Sequence, residues 1–341
     1  IEITDEETLL SAISQMKTDE LQETFLESRQ KLMTQDVPAR LQGYRLDRAA
    51  ADLFPEYSRS RIQLWIDDGA LLVNGVRAGR RDSVVTGMQL SLAPSEESQG
   101  EWQAQSIPIP IIYEDEDLFV IDKPAGLVVH PGAGNWDNTL LNGLLYMDPK
   151  LRQVPRAGIV HRLDKDTSGL MVVARNLAAQ NNLVRQLQAR TVSRTYQAIV
   201  TGGPTASGSI DEPIGRNPKN RLKMAVISGG KEAITHYRVL EKFKAYELLE
   251  LKLETGRTHQ IRVHMAHNNW SIFGDPVYGG KSRYPKGISA ELRDAIERTR
   301  RQALHAVELE LKHPRTGEPV TWQSPLAPDI QELLELLRSD G

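Results

Sequence analysis

The spacing of apolar residues predicts a small region of two helices and a short sheet near the start of the chain. In residues 45–54, and in the stretch that follows Ser58, apolar positions recur at helical spacing, and serine commonly caps helix N-termini. Residues 71–76 have strand character interrupted by the tight-turn pair Asn74 and Gly75, and residues 88–92 form another strand-like run. Two short helices followed by paired strands are therefore expected.

From about residue 107 the pattern changes to short β-type runs separated by turn residues. These runs are 111–113, 118–121, 127–129, 171–174, 196–200, 233–240, 246–253 and 306–311. Helical periodicity is rarer and predicts helices at 176–188, 289–301 and 329–338. Apolar and polar residues alternate at Ile261, Arg262 and Val263, which favours a strand around Arg262. The fold class expected is α+β, with a mixed, largely antiparallel sheet.

Runs of polar residues, proline and glycine mark the expected domain boundaries. Residues 1–42 are predicted to be an acidic, helical extension. It is expected to end in a linker, because Pro38 and Gly43 disfavour regular secondary structure there. Residues 43–95 would form the small domain, residues 96–106 a polar linker, and residues 107–341 the larger domain.

The composition of the 341-residue chain excludes several classes of site. It contains no cysteine, which removes disulfides, cysteine-ligated zinc, iron–sulfur clusters and thiol nucleophiles. It has no run of 18 apolar residues and no signal-peptide pattern, so we expect a cytoplasmic protein without a membrane span.

The net charge of −3 conceals a strongly basic segment. Residues 152–262 carry 19 Lys and Arg against nine Asp and Glu, whereas residues 1–40 carry four against nine. A basic stretch within an acidic protein suits a polyanion, because phosphate contacts are the largest sequence-independent part of nucleic-acid affinity. A plain solvated basic face would have the same composition.

The densest group of chemically active residues is the segment 161–170, HRLDKDTSGL, which leads directly into a buried-type strand. Asp164 is flanked in sequence by Arg162 and Lys165, and nearby cations favour an ionised carboxylate that could act as nucleophile or base. The same arrangement could also be a structural ion pair, and the spacing of His161 and Asp164 permits a metal site.

This segment, followed by MVVA, resembles the signature loop of the RluA-type pseudouridine synthases. The family's other motifs have counterparts in the same order: DKPAGL at 122–127, RTYQA at 194–198, TGRTHQIRVH at 255–264 and GDPVYG at 274–279. The small domain, with Arg59 and Arg61 at the start of its second helix, resembles the S4 RNA-binding domain. The likeness is strongest to family members that act on 23S ribosomal RNA.

The resemblance implies an isomerase that converts uridine to pseudouridine. Asp164 would attack the target uridine, Tyr196 would stack on the extruded base, Arg262 would hold Asp164 ionised, and Arg162 would fill the gap left by the base. Contacts to the RNA are expected from a wider set of side chains: His161, Lys165, Arg257, His259, Arg59 and Arg61. The expected partner is structured large-subunit ribosomal RNA, bound by a monomer that needs no metal or organic cofactor.

Two other functions remain open at this stage. The chain could be an RNA-binding or ribosome-assembly protein that keeps the fold without catalysis. It could also be a metal-dependent hydrolase that uses Asp164, Asp166 and nearby histidines, although isolated histidines such as His130 and His264 are usually structural.

Overall fold

A computed structural model describes residues 32–55, 57, 59–93, 102–132, 135, 137–220, 222–279 and 284–340, apart from the side chains of Ser60 and Arg61. The chain divides into two compact units between Glu101 and Trp102. Residues 1–31 of the predicted helical extension lie outside this description. Within the same extension, Met33–Asp36 form a strand instead of a helix. Among the described residues, no helix combines the length and apolar character needed to cross a membrane.

The smaller unit packs two helices against a three-stranded antiparallel sheet. Its strands are β1 (Met33–Asp36), β2 (Leu71–Val73) and β3 (Gln89–Leu92), and its helices are α1 (Leu46–Leu53) and α2 (Arg59–Asp68). The strand order is β1-β3-β2. Asn74 and Gly75 both have positive φ (51° and 77°) and make the tight turn that their sequence predicts.

The boundary expected at residue 42 is wrong, because the smaller unit begins earlier. Strand β1 pairs with β3 along its whole length, and Val37 and Leu41 are 2% exposed in the core of this unit. Residues 36–43 are therefore not a linker. The strand escaped prediction because it lies at a sheet edge and only Met33 among its residues is even partly buried, so its sequence carries no apolar alternation.

The larger unit is built on a nine-stranded sheet. Its strands are β4 (Ile111–Glu114), β5 (Leu118–Lys123), β6 (Ser168–Ala174), β7 (Ser193–Thr201), β8 (Gly208–Asp211), β11 (Ile234–Lys242), β12 (Tyr246–Leu253), β13 (Leu304–Lys312) and β14 (Pro319–Gln323), while β9 (Ile214–Arg216) and β10 (Met224–Val226) form a separate hairpin. The order is β4-β5-β6-β13-β7-β12-β11-β8, with β14 beside β13. The β6–β13 pair is parallel and the other ladders are antiparallel, which confirms the predicted α+β class.

Helices cover both faces of this sheet. They are α3 (Leu140–Met147), α4 (Leu177–Gln188), α5 (Gln260–His267), α6 (Ala290–Arg298) and α7 (Pro328–Ser339). Helix α4 begins after Asn176, whose side chain accepts a hydrogen bond from Ala179 N, as a capping residue should. The expected helices at 176–188, 289–301 and 329–338 are confirmed within a few residues.

The core lies on both sides of the central strands. In β5, Phe119 and Ile121 face a large cluster that also contains residues of α3 and α5, whereas Leu118 and Val120 face α4. All seven residues of β6 are buried. A strand covered on both faces loses the alternating pattern, which explains why β6 is an unbroken apolar run in the sequence.

Two strand predictions are wrong. Residues 127–129 form only an isolated bridge, between Val128 and Thr139. The segment around Arg262 is not a strand either, because residues from Gln260 onward form α5. Alternation predicts a strand when polar residues face solvent and apolar residues face the core. Here Arg262 and His264 are as buried as their apolar neighbours, so the pattern does not reflect a strand with one exposed face.

Candidate active site

Three successive backbone carbonyls hold the loop that carries Asp164. The carbonyl of Asp164 accepts from Thr167 N at 3.1 Å, and that of Asp166 accepts from the Arg301 guanidinium at 3.1 Å. The carbonyl of Lys165 accepts from Gly126 N at 2.9 Å and from the Lys123 ammonium at 3.0 Å. A loop whose carbonyls are satisfied in this way has little freedom to move its side chains.

Lys123 is fully buried beneath this loop. Its ammonium also donates to the carbonyls of Pro124 and Leu127, at 2.7 and 3.0 Å. Burial lowers the pKa of Lys123 to about 7, although the charges of Asp166 and Asp164 oppose the shift. The DKPAGL motif therefore supports the loop from below.

The loop ends where β6 passes very close to β13. Gly169 has φ of 115°, and a Cβ there would lie 2.4 Å from both the nitrogen and the oxygen of Ala306. Only glycine allows this approach, which fixes the start of β6 and hence the position of Asp164 five residues earlier.

Asp164 forms one end of a chain of charges that leads into the protein. Arg262 donates from Nη1 to Asp164 Oδ2 at 3.0 Å, and from Nε and Nη2 to the two oxygens of Asp275 at 2.7 and 2.9 Å. The side chains of Arg262 and Asp275 are 6% and 0% exposed, whereas that of Asp164 is 19% exposed. The buried pair of Arg262 and Asp275 thus leaves Nη1 of Arg262 to donate to Asp164, whose carboxylate is partly exposed to solvent.

The pKa directions agree with this arrangement. Burial disfavours the charged guanidinium of Arg262, but hydrogen bonds and charge from Asp275, together with the charge of Asp164, outweigh it and raise its pKa. Burial opposes ionisation of Asp275 as well, but its bonds to Arg262 and to backbone N–H groups lower its pKa. Arg262 and Asp275 therefore both carry their charges at neutral pH.

His259 approaches the other oxygen of Asp164. Its Nε2 is 3.8 Å from Asp164 Oδ1, and its Nδ1 is 2.7 Å from the hydroxyl of Tyr278. That hydroxyl already accepts from Met224 N at 2.8 Å, so its own hydrogen is available for Nδ1, which leaves the N–H of the ring on Nε2, facing Asp164. Burial lowers the pKa of His259 despite the nearby charge of Asp164, so the ring is neutral.

Tyr196 lies in β7 and lines the same cavity as Asp164. The side chain is 5% exposed, and its hydroxyl makes no hydrogen bond with any described residue. Burial raises the pKa of Tyr196; the charge of Arg194 opposes the shift and that of Asp164 adds to it. The ring is therefore a neutral, fixed aromatic wall.

The cavity has a volume of about 600 Å³ and is rich in cations. It brings together most of the residues expected to act: Asp164, Tyr196, Arg262, Arg162, His161, Arg257 and His259. Lys165 is the exception: its side chain is exposed and does not line the cavity, because the turn at 164–167 points it elsewhere while its carbonyl faces Lys123.

His161 has a structural task in addition to lining the cavity. Its Nε2 accepts a hydrogen bond from Val172 N at 3.0 Å, which ties the loop to β6. Burial lowers its pKa to about 3, with a contribution from the Arg194 charge, so the ring is neutral and its Nε2 is occupied.

In the smaller unit, a buried carboxylate organises the arginines at the start of α2. Asp47 is 0% exposed and accepts from Arg45, from Arg59 Nη2 at 2.9 Å and from Gln63 at 2.6 Å. The side chains of Arg45 and Arg59 are about half exposed. Arg61 lies in α2, but its side chain is outside the described residues.

The partners of Arg262 were not assigned from sequence. Asp275 and Tyr278 belong to the GDPVYG motif, which the sequence analysis identified. The sequence itself does not indicate that this motif contacts Arg262. A buried network that includes Gln260, Thr255 and Thr235 fixes the turn before α5, and it too had no sequence signature.

Within the described part of the chain, one group of His and acidic residues has metal-ligand spacing: Asp115, Asp117 and His313. His313 Nε2 lies 2.8 Å from Asp115 Oδ2, and Asp117 accepts two hydrogen bonds from Arg315, so these side chains already have protein partners. Asp164 and Asp166 belong to no such group among the described residues, and the hydrolase alternative gains no support.

Comparison with known proteins agrees with the motifs. A family model described as RNA pseudouridylate synthase matches residues 117–267. The ribosomal large subunit pseudouridine synthase D of Pseudomonas aeruginosa is 58% identical over 305 residues, which cover 89% of this chain and 95% of that protein. The protein of the same name from Escherichia coli K12 is 52% identical over 299 residues, covering 87% and 92%.

Solved structures give the same assignment. Human RNA pseudouridylate synthase domain containing 4 matches with a TM-score of 0.53 and 27% identity, over 67% of this chain and 93% of that one. Human RNA pseudouridylate synthase domain containing 1 matches with a TM-score of 0.51 and 27% identity, over 69% and 97%. Sequence, fold and relatives agree, and the chain belongs to the RNA pseudouridylate synthase family.

Proposed function

We propose that this protein is a pseudouridine synthase that isomerises specific uridines in large-subunit (23S) ribosomal RNA. The observation that carries the proposal is the cavity in which Asp164, held by Arg262, shares a wall with Tyr196. The names of the relatives support the large ribosomal subunit as the source of the substrate.

Asp164 is the group that reacts. Its ionised carboxylate attacks C1′ of the target ribose, the bond from C1′ to N1 breaks, and uracil leaves with the bonding electrons. The base then turns, and its C5 bonds to C1′ and displaces the carboxylate of Asp164. C5 loses its proton and N1 gains one, which gives pseudouridine. Arg262 keeps the carboxylate charged and aimed while the Asp275 pair keeps Arg262 in place.

The reaction requires the uridine to leave its helix. Extruding a base costs a few kcal/mol, which the cavity must return. Stacking on the ring of Tyr196 supplies about 1–3 kcal/mol of this. Arg162, which is exposed at the cavity, fills the vacated position in the RNA, while Arg257 and His259 contact the nucleotide.

The smaller unit acts as an S4-type RNA-binding module. The buried Asp47 holds Arg45 and Arg59 in fixed positions, and a preoriented guanidinium binds phosphate at a lower entropic cost than a mobile one. This module adds affinity and orientation rather than chemistry. We expect the enzyme to be a cytoplasmic monomer that acts on free RNA or on a precursor ribosomal particle.

Asp164→Asn tests the proposal directly. Pseudouridine in large-subunit RNA should be absent from cells whose only copy carries this change, while the purified variant should still bind that RNA. A variant that still forms pseudouridine would contradict the assignment of Asp164. If the wild-type protein forms none but binds RNA, the non-catalytic alternative would be correct.

A further inference from the structure

Arg194 is an arginine of the cavity wall whose guanidinium has no partner among the residues that the structure describes. It lies two residues before Tyr196 in β7, so both side chains project from the same face of the sheet, and both line the cavity. Its guanidinium makes no hydrogen bond or ion pair with any described residue, and its Nε is buried. Leaving a buried donor of a charged group unpaired is costly, so the group calls for an explanation, and a ligand that binds the guanidinium is one.

Three other arginines of the cavity wall have partners within the protein. Arg190 makes a two-bond pair with Glu232 at 3.0 and 2.7 Å, and Arg262 makes one with Asp275. Arg257 donates from Nε to the carbonyl of Glu232 at 2.9 Å. Arg194 differs from these three in having no partner among the described residues. Arg156 and Arg162 also line the cavity without such partners, but both are exposed, whereas Nε of Arg194 is buried.

Gly256 leaves the space that Arg194 occupies. A Cβ at Gly256 would lie 2.8 Å from Arg194 Nη1, so any side chain there would displace the guanidinium. The backbone at Gly256 is outside the left-handed region, and its conformation does not require glycine. The absence of a side chain at position 256 thus leaves room for the guanidinium of Arg194 in its present position.

We propose that Arg194 binds a phosphodiester oxygen of the target nucleotide and so positions the ribose against Asp164. This inference rests on the function proposed above. A guanidinium with free donors fits an anionic oxygen acceptor, and the carboxylate of Asp164 is already bonded to Arg262. The RNA backbone on either side of an extruded uridine supplies such oxygens at the mouth of the cavity. Arg194 is a positioning residue, because it holds the substrate without taking part in bond changes.

The test compares Arg194→Gln with Arg190→Gln in an Asp164→Asn background, which prevents turnover. The probe is an RNA stem-loop containing a uridine that the wild-type enzyme modifies. Arg194→Gln should weaken binding 10- to 100-fold, as expected for loss of charge-assisted bonds, and Arg194→Lys should recover part of the loss. Arg190→Gln removes the same charge from the same cavity, but its donors are already used, so binding should change less than threefold.

A second probe identifies the acceptor. In this RNA, the phosphates flanking the target uridine are replaced one at a time by neutral methylphosphonates. One replacement should weaken binding to the protein with Arg194 and have no further effect on Arg194→Gln. Because Arg194 has no partner in the described part of the chain, its replacement should leave the thermal unfolding midpoint unchanged or higher, whereas loss of a structural arginine would lower it.

The outcomes separate this inference from the proposed function. If the wild-type enzyme forms no pseudouridine in ribosomal RNA, the function and this assignment both fail. If it is active but each methylphosphonate weakens both proteins equally, or Arg194→Gln binds as tightly as Arg190→Gln, the assignment of Arg194 alone is overturned. A loss of binding that is insensitive to the methylphosphonates would point to a uracil oxygen and would also overturn it.

Discussion

Replacing Asp275 by asparagine should both destabilise the larger unit and impair the chemistry. The change leaves the guanidinium of Arg262, which is 6% exposed, facing an amide instead of a carboxylate, and it turns an acceptor oxygen into an N–H donor. Breaking one side of a buried ion pair costs about 3–5 kcal/mol. Because Arg262 would no longer be aimed at Asp164, we expect kcat to fall about 10²-fold, as for a misplacement of about 1 Å.

Glu250→Gln is the matched control. Arg238 and Glu250 also form a two-bond pair, at 3.2 and 3.0 Å, but their side chains are 60% and 21% exposed. A solvated pair of this kind contributes at most about 1 kcal/mol. The comparison therefore changes the burial of the pair while keeping its chemistry.

The measurement is urea unfolding followed by hydrogen exchange of peptides covering α5, which reports on the larger unit separately from the smaller one. Because the pKa of Asp275 is lowered in the folded protein, its stabilisation is present above the unfolded value of about 4 and is lost as the pH falls through the folded value. The difference between wild type and Asp275→Asn should thus be constant from about pH 5 to 8. A cost for Asp275→Asn no larger than that of Glu250→Gln would refute the reasoning from burial.

Three further changes test other parts of the structure. Gly169→Ala should prevent folding of the larger unit or cost more than about 3 kcal/mol, because its Cβ would meet the Ala306 backbone at 2.4 Å; circular dichroism during thermal unfolding would reveal a tolerated methyl group. Tyr196→Phe should keep RNA binding while Tyr196→Leu should weaken it by about 1–3 kcal/mol, measured with an inactive Asp164→Asn background; equal binding would contradict the stacking role. Deleting residues 1–92 should weaken RNA affinity and flatten its salt dependence, and an unchanged slope in a salt titration would exclude phosphate contacts by the smaller unit.

The sequence alone predicted several of the elements and, through its resemblance to a known family, the residues that we propose to react. Helix α4 with its Asn176 cap, the Asn74–Gly75 turn and the fully buried strand β6 follow from local composition, because caps, tight turns and apolar runs are decided by neighbouring residues. The loop with Asp164 was recognisable because its ten residues are contiguous.

Only the tertiary structure decided how these parts meet. The helix at residues 260–267 depends on contacts with other parts of the chain. Arg262 and His264 can be buried there because they form hydrogen bonds with Asp275 and Thr235. The edge strand β1 forms because its backbone pairs with that of β3. The unpaired donors of Arg194 are likewise seen only in the tertiary structure, which shows which described residues surround its guanidinium. A motif of consecutive residues can be recognised from the sequence. Hydrogen bonds and ion pairs between distant residues cannot, because they form only in the folded state, where burial makes an unpaired polar group costly.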